Sequence, residues 1–272
     1  MIVINGKSES QLSILDRGFQ YGDGVFETIA YRNGQAEFIH QHLQRLQLGC
    51  DLLRINSANI QLLHDELVIM LEQVNEPSVI KLIITRGQGN RGYFSDNKAV
   101  PTRIIMCFPY PVFPTEYQTE GIYVRFCEQR LSTNQRLAGI KHLNRLEQVI
   151  ARNEWDDSDI AEGLMSDHDD NIIEGTMSNL FIVKSGKLYT PDIARAGIAG
   201  VTRAKIIELA TCSGLPVEEK IIDRKELADA DEVFICNSII GIWPVYAISN
   251  KLYAIGFITK FLQKALLECH KV

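Results

Sequence analysis

Apolar positions recur along this chain with two different periods. Steps of three and four link Ile39, Leu43, Leu46, Cys50 and Leu53, and then Ile60, Leu63, Leu67, Met70, Leu71 and Val74. Each set lines one face of a helix, so two consecutive helices are predicted. Alternating or continuous apolar runs predict strands at 2–5, 25–32, 79–85, 103–108, 122–127, 163–166, 172–174, 180–183, 188–190, 217–222, 233–236 and 244–248. Asn33-Gly34, Ser185-Gly186 and the run His168-Asp169-Asp170-Asn171 punctuate these strands as hairpin turns. Further helices are expected at 202–211, 226–230 and 257–269, and Gln20-Tyr21-Gly22-Asp23-Gly24 reads as a tight loop. Leu143, Leu146, Val149 and Ile150 share helical spacing, which predicts a core-anchored helix beginning directly after Lys141. Strands and helices do not alternate regularly, so the pattern favours α+β over a doubly wound sheet.

The segment Pro109-Tyr110-Pro111-Val112-Phe113-Pro114 carries three prolines in six residues. Proline extends neither a central strand nor a helix interior, so a linker is expected here. The expected domains are 1–110 and 117–272, joined by 111–116. Between the third and fourth long strands, Arg86-Gly87-Gln88-Gly89-Asn90-Arg91-Gly92-Tyr93 reads as a flexible glycine and arginine loop.

With 272 residues, 46% hydrophobic and 23% charged, the chain has the composition of a soluble packed protein. A net charge of −6 with no basic run argues against nucleic acid or an anionic membrane as the main partner. No apolar run approaches the roughly 20 residues of a membrane span, and the N-terminus lacks a signal-peptide pattern. The six scattered cysteines contain no Cys-x-x-Cys pair, which fits buried thiols in a reducing cytoplasm and no metal site.

Candidate chemistry centres on Lys141, which a short apolar and glycine approach delivers to its helix. A lysine that loses hydration at such a rigid place becomes a usable nucleophile. Glu174 ends a strand and precedes the small-residue turn Gly175-Thr176-Met177-Ser178-Asn179, whose hydroxyl, amide and backbone groups can hold a ligand. Gly197-Ile198-Ala199-Gly200-Val201-Thr202-Arg203 opens a helix, where free N–H groups and the helix dipole favour a phosphate. Its glycine spacing is not that of a dinucleotide fingerprint. Arg45 borders the buried stripe of the first long helix and is suited to an anion. Cys236-Asn237-Ser238 is a polar pair at a strand end. A lysine, phosphate-binding turns and a carboxylate together point to pyridoxal 5'-phosphate, which needs an amine, anion contacts and a partner for its pyridine nitrogen.

As a set, these motifs resemble the fold-type IV pyridoxal-phosphate enzymes. The residues that carry the likeness are Tyr21-Gly22-Asp23-Gly24-Val25-Phe26, His42-Leu43-Gln44-Arg45-Leu46, Lys141, Glu174-Gly175-Thr176-Met177-Ser178-Asn179-Leu180-Phe181 and Gly200-Val201-Thr202-Arg203. The family holds branched-chain aminotransferases, D-amino-acid aminotransferases and aminodeoxychorismate lyases. Phe26-Glu27-Thr28, the 85–93 stretch and Leu137-Ala138-Gly139-Ile140-Lys141-His142-Leu143-Asn144-Arg145-Leu146-Glu147-Gln148-Val149 look most like the bacterial lyases. The resemblance implies a smaller N-terminal α/β sandwich and a larger C-terminal pseudo-barrel. It also implies a homodimer, with its active sites near the interface, that acts on 4-amino-4-deoxychorismate to make 4-aminobenzoate for folate.

The same resemblance assigns Lys141 as the Schiff-base lysine, Glu174 as partner of the pyridine nitrogen, and Arg45, Val201, Thr202 and Ser238 as the phosphate's surroundings. Ser178 and Asn179 stand beside the cofactor, Thr28 faces it, and Arg91 is the candidate for a substrate carboxylate. Several aminotransferase relatives place a tyrosine five residues after the lysine; here that residue is Leu146. An aminotransferase on the same scaffold is the rival reading, and a non-catalytic binding protein is a second.

Overall fold

The N-terminal residues form a tight hairpin, β1 (Ile2–Ile4) and β2 (Lys7–Ser8). After it comes a short helix, α1 (Arg17–Tyr21), where the sequence pattern predicts a loop from residue 20. Asp16 caps this helix by accepting the Gly18 N–H, and Gly22 ends it in the left-handed conformation. The computed structural model describes residues 1–56, 60–95 and 99–269. They divide into two units: Met1–Pro111 with Ile140–Asn144, and Val112–Gly139 with Arg145–Val272.

The first unit is built on β3 (Gly24–Arg32), which turns at Asn33 and Gly34 into β4 (Gln35–Ala36). Both turn residues have positive φ, 53° and 75°, as the Asn-Gly pair predicts. The predicted helices follow as α2 (Ile39–Leu52) and α3 (Ile60–Leu71), then β5 (Ser78–Thr85) and β6 (Thr102–Pro109). The six strands lie in the order β2-β1-β6-β5-β3-β4. Because strand side chains alternate, Val25, Glu27 and Ile29 share one face of β3, and all three are buried. On that side α2 packs against β3, and its Leu43, Leu46 and Cys50 are buried. Phe26 and Thr28 point to the other, half-buried face.

The second unit begins with α4 (Glu116–Thr119) and β7 (Ile122–Arg130), followed by α5 (Leu146–Arg152), β8 (Ile160–Ser166) and β9 (Ile172–Gly175). It continues through β10 (Asn179–Lys184), β11 (Lys187–Pro191), α6 (Val201–Cys212), β12 (Val217–Lys220) and α7 (Arg224–Ala228). β13 (Glu232–Asn237), β14 (Gly241–Ile248), β15 (Lys251–Leu252) and α8 (Phe257–Cys269) complete it. The strands run β12-β11-β10-β13-β14-β7-β8-β9, and β9 pairs back onto β10. That last pairing closes a six-stranded barrel, filled by Val124, Leu164, Ile172, Leu180, Ile235 and Trp243 among others. α+β architecture with a closed barrel in the larger unit is what the motif resemblance implies.

One local expectation is overturned. The helix after Lys141 starts five residues later, at Leu146, and runs for seven residues. Leu146, Val149 and Ile150 are 75%, 51% and 53% exposed, and Ala151 is the helix's buried residue. Helical spacing was real, but the apolar face of so short a helix is turned outward in the single chain.

Candidate active site

In the first unit, residues 141–143 are extended and pair with the N-terminal half of β3. The Phe26 N–H donates to the Lys141 carbonyl at 2.9 Å and the Leu143 N–H to the Gly24 carbonyl at 3.0 Å. His142 and Val25 form an antiparallel bridge between those two bonds. β4 covers only the far end of β3, at Tyr31 and Arg32, which leaves this edge open for the lysine segment. Lys141 therefore stands on an edge strand, where two backbone hydrogen bonds fix it, and not at a helix entrance.

Its Nζ lies 4.4 Å from the centroid of the Phe26 ring, within cation–π range. Thr28, two residues along β3, projects from the same face. Lys81 pairs with Thr28 in register, and its own Nζ is 5.2 Å from the Phe26 ring. Two lysine side chains thus share one aromatic floor. Lys81 escaped the sequence reading, although its charge interrupts an otherwise apolar strand.

Glu27 occupies the opposite, buried face. Arg45 grips it with Nε to Oε1 at 2.7 Å and Nη2 to Oε2 at 2.5 Å, and His42 Nδ1 stands 2.6 Å from Oε2. Burial alone would raise the Glu27 pKa, but the charge of Arg45 and the hydrogen bonds from His42 and Arg45 hold it below the ordinary carboxylate range. Burial pushes His42 down despite Glu27, with Arg45 and Lys141 adding to that effect. A neutral His42 therefore donates from Nδ1, since an ionised carboxylate only accepts. Arg45 was expected at an anion, and the anion it meets within this unit is Glu27. A carboxylate on the apolar parity of a strand was the available signal for Glu27.

Arg91 sits on the 86–93 loop, exposed, and no group among the described residues engages its guanidinium. The loop itself is not slack. Gly89 N–H donates to the Leu15 carbonyl, and Arg17 and Tyr21 bond to Gly92.

In the second unit, Glu174 is 3% exposed at the end of β9. Its Oε2 accepts the Ile198 N–H at 2.8 Å and faces the Asn179 amide at 3.5 Å. The Asn179 amide also donates to the Ile198 carbonyl at 2.9 Å, so one side chain ties the acid to the turn before α6. Gly200 is needed there: a Cβ would stand 2.0 Å from Asn179 Oδ1. Arg145, unremarked in the sequence, also faces this acid. Burial lowers its pKa, and Glu174 and Glu147 pull it back.

At the start of α6, Val201 and Thr202 present first-turn N–H groups that have no partner inside a helix. Thr202 Oγ1 stands 3.4 Å from Ser238 Oγ, which brings two distant hydroxyls to one helix start. Ser178 has a different partner. Its hydroxyl donates to Glu162 at 2.8 Å, and Glu162 also accepts from Thr176 Oγ1 and from the N–H groups of Gly163, Thr176 and Met177. Glu162 is wholly buried and organises the 176–178 turn, yet as one acid in a strand it drew no notice in the sequence. Asn237 closes the neighbouring turn, donating to the Met177 carbonyl and accepting the Ile239 and Ile240 N–H groups.

The donor set suits a pyridoxal phosphate. An anion fits the helix start with its paired hydroxyls, and a buried carboxylate lies at the same turn, where a glycine lets the backbone close around Asn179. Residues 24–248 match the model of the amino-transferase class IV family. This chain belongs to that family.

Among its relatives, the aminodeoxychorismate lyase of Vibrio harveyi is 37% identical over 97% of this chain and 98% of its own. The crystal structure of 4-amino-4-deoxychorismate lyase from Pseudomonas aeruginosa superposes with a TM-score of 0.95, at 43% identity over 98% of both chains. The branched-chain amino acid aminotransferase from Escherichia coli superposes at 0.84, with 27% identity over 99% of this chain and 93% of that one. No described helix is long and apolar enough to cross a membrane.

Proposed function

We propose that this chain converts 4-amino-4-deoxychorismate to 4-aminobenzoate and pyruvate, with pyridoxal 5'-phosphate as its cofactor. The observation that carries the choice of reaction is the 43% identity to the Pseudomonas aeruginosa lyase over 98% of both chains. Leu146, where related aminotransferases place a tyrosine, supports the same choice.

When bound, pyridoxal phosphate supplies a carbon that condenses with an amine and a ring that takes up the electron pair left by a departing proton. Lys141 is the residue that holds it, and a half-buried amine on a hydrogen-bonded edge strand supports that role. Lys141 Nζ would also be the base that takes the proton from the substrate carbon bearing nitrogen. Glu174 is the acid that keeps the ring nitrogen protonated. Val201 and Thr202, with Arg45 and the Ser238 hydroxyl, would hold the phosphate, and Ser178 and Asn179 would brace the turn beside the ring. Arg91 takes a substrate carboxylate. The carbon–oxygen bond to the enolpyruvyl group then breaks, and Thr28 or Lys141 delivers the proton that completes pyruvate. No atom is gained or lost, and the new aromatic ring makes the step downhill.

The working form is a cytoplasmic homodimer. The exposed face of Leu146, Val149 and Ile150 supports self-association, and six unpaired thiols suit a reducing compartment. Sedimentation of the wild type as a monomer would refute the dimer.

The decisive experiment is an assay for both products alongside an absorbance spectrum. Lys141→Ala is expected to abolish product release and the visible absorbance of the bound cofactor; a variant that keeps both ends this assignment. The structural likeness to a branched-chain aminotransferase favours transamination as the second reading. Glutamate formed from 2-oxoglutarate and an amino donor, with no 4-aminobenzoate released, would establish it.

A further inference from the structure

Arg17 is 4% exposed, and a guanidinium so deeply buried needs partners for its charge and its N–H groups. Nε donates to Asp23 Oδ2 at 2.9 Å. The other two bonds cross to a distant part of the chain, Nη1 to the Gly92 carbonyl at 2.8 Å and Nη2 to the Tyr93 carbonyl at 3.1 Å. The guanidinium also lies 4.8 Å from the Tyr21 ring, whose hydroxyl accepts the Gly92 N–H at 3.1 Å and whose ring meets Tyr93 edge-on at 5.6 Å. On the near side of the loop, the Arg17 N–H donates to the Gly87 carbonyl and the Gly89 N–H to the Leu15 carbonyl. A side chain on residue 89 would bring a Cβ within 2.8 Å of Arg17 Cδ, so the loop lies directly on the stem of this arginine.

Asp23 fixes the clamp in turn. It accepts a two-pronged contact from Arg86, Nε at 2.7 Å and Nη2 at 3.0 Å, and Arg86 reaches on to the carbonyls of Leu53 and Arg54. Burial would raise the Asp23 pKa, but the hydrogen bonds and charges of Arg86 and Arg17 hold it below the ordinary range, so the acid stays ionised between two arginines. The backbone is thus fastened at Gly89 and again at Gly92 and Tyr93, on either side of Arg91. The Arg91 side chain is exposed, and no group among the described residues engages it.

We infer that Arg17 is a positioning residue for substrate recognition: it holds the 87–93 backbone so that Arg91 is aimed at a substrate carboxylate, and it touches neither substrate nor cofactor itself. This rests on the reading that Arg91 takes a carboxylate. A fixed backbone spares the ordering of a loop on each binding event, so its loss falls on KM more than on kcat.

The test uses the cofactor-loaded enzyme with Arg17→Met, Arg17→Lys, Arg91→Ala and the Arg17→Met/Arg91→Ala double variant. Arg17→Met should raise KM for aminodeoxychorismate on the order of 10–100-fold while kcat and the cofactor absorbance hold. Arg17→Lys should recover part of that loss. In the Arg91→Ala background, Arg17→Met should add nothing, because both act through one group. Multiplying effects in the double variant, or an unchanged KM in Arg17→Met, would overturn the inference.

Should Arg17→Met fail to fold, Tyr21→Phe removes a single loop contact. It should raise both KM and the hydrogen exchange of residues 90–93, and a variant that changes neither overturns the inference. A wild type that releases no 4-aminobenzoate refutes the proposed reaction on its own. The clamp is then judged by hydrogen exchange at 90–93: faster exchange in Arg17→Lys supports it, and unchanged exchange sinks it.

Discussion

Two segments that the sequence marks as connections between strands, a small-residue turn and a glycine and arginine loop, are held by opposite chemistry. The 176–178 turn of the second unit folds around a buried acceptor. Glu162 receives three N–H groups and two hydroxyls, all within 16 positions of itself. The 87–93 loop of the first unit folds around a buried donor, and Arg17 reaches carbonyls 75 and 76 positions away. The turn points N–H groups inward at an anion, whereas the loop turns carbonyls inward at a cation with several prongs. The turn can be built while the chain is still local. The loop needs the six-stranded sheet to bring residue 17 to residue 92.

Removing the acceptor should have the largest effect. Glu162→Ala leaves five donors facing a cavity and is expected to cost about 3–5 kcal/mol of unfolding free energy, read from urea melts. If the loss is under about 1 kcal/mol, the turn is held by something other than Glu162. Glu162→Gln, which keeps shape but loses charge, should cost about 1–3 kcal/mol.

On the donor side, Asp23→Asn leaves Arg17 and Arg86 without their shared anion and should cost about 1–3 kcal/mol near neutral pH. Its pH dependence follows from the sign of the shift. The folded pKa of Asp23 lies below the ordinary value, so its contribution is complete above that value and is lost as pH falls through the folded one. The gap between wild type and Asp23→Asn should therefore close as pH drops below about 3.9. A gap that stays constant down to acid pH would remove Asp23 from the clamp. Glu27, also held low, should add a similar acid-side loss in the wild type.

The smallest effect separates two roles for one residue. Ser178→Ala deletes one of five donors to Glu162, so about 1 kcal/mol is expected with the cofactor absorbance unchanged. A shifted absorbance would show that Ser178 serves the ring directly and not the turn alone.

Much of the fold was legible in the sequence because its signals are short-range. Asn33-Gly34 set the β3–β4 hairpin through local backbone preference, and the stripes of α2 and α3 follow from a helix burying one face. The motif set around Lys141, Glu174 and Gly200-Val201-Thr202 identified the family for the same reason, since each piece lies within a few residues. Leu143, Leu146, Val149 and Ile150 misled because periodicity reports which residues share a face, not what that face meets. Glu162 and Arg17 passed unnoticed, and Glu27 was given no partner, because a buried charge looks like a solvated one until its partners are known.

The sequence by itself determined the order and type of most of the longer elements and the presence of an amine, an acid and an anion-binding helix start. Only the tertiary structure decided that Lys141 rides an edge strand over Phe26, that Arg45 closes on Glu27, and that Arg17 reaches Gly92. Periodicity and turn preference act over a few residues, whereas a buried ion's partner is whatever the closing sheet or barrel brings within 3 Å or so.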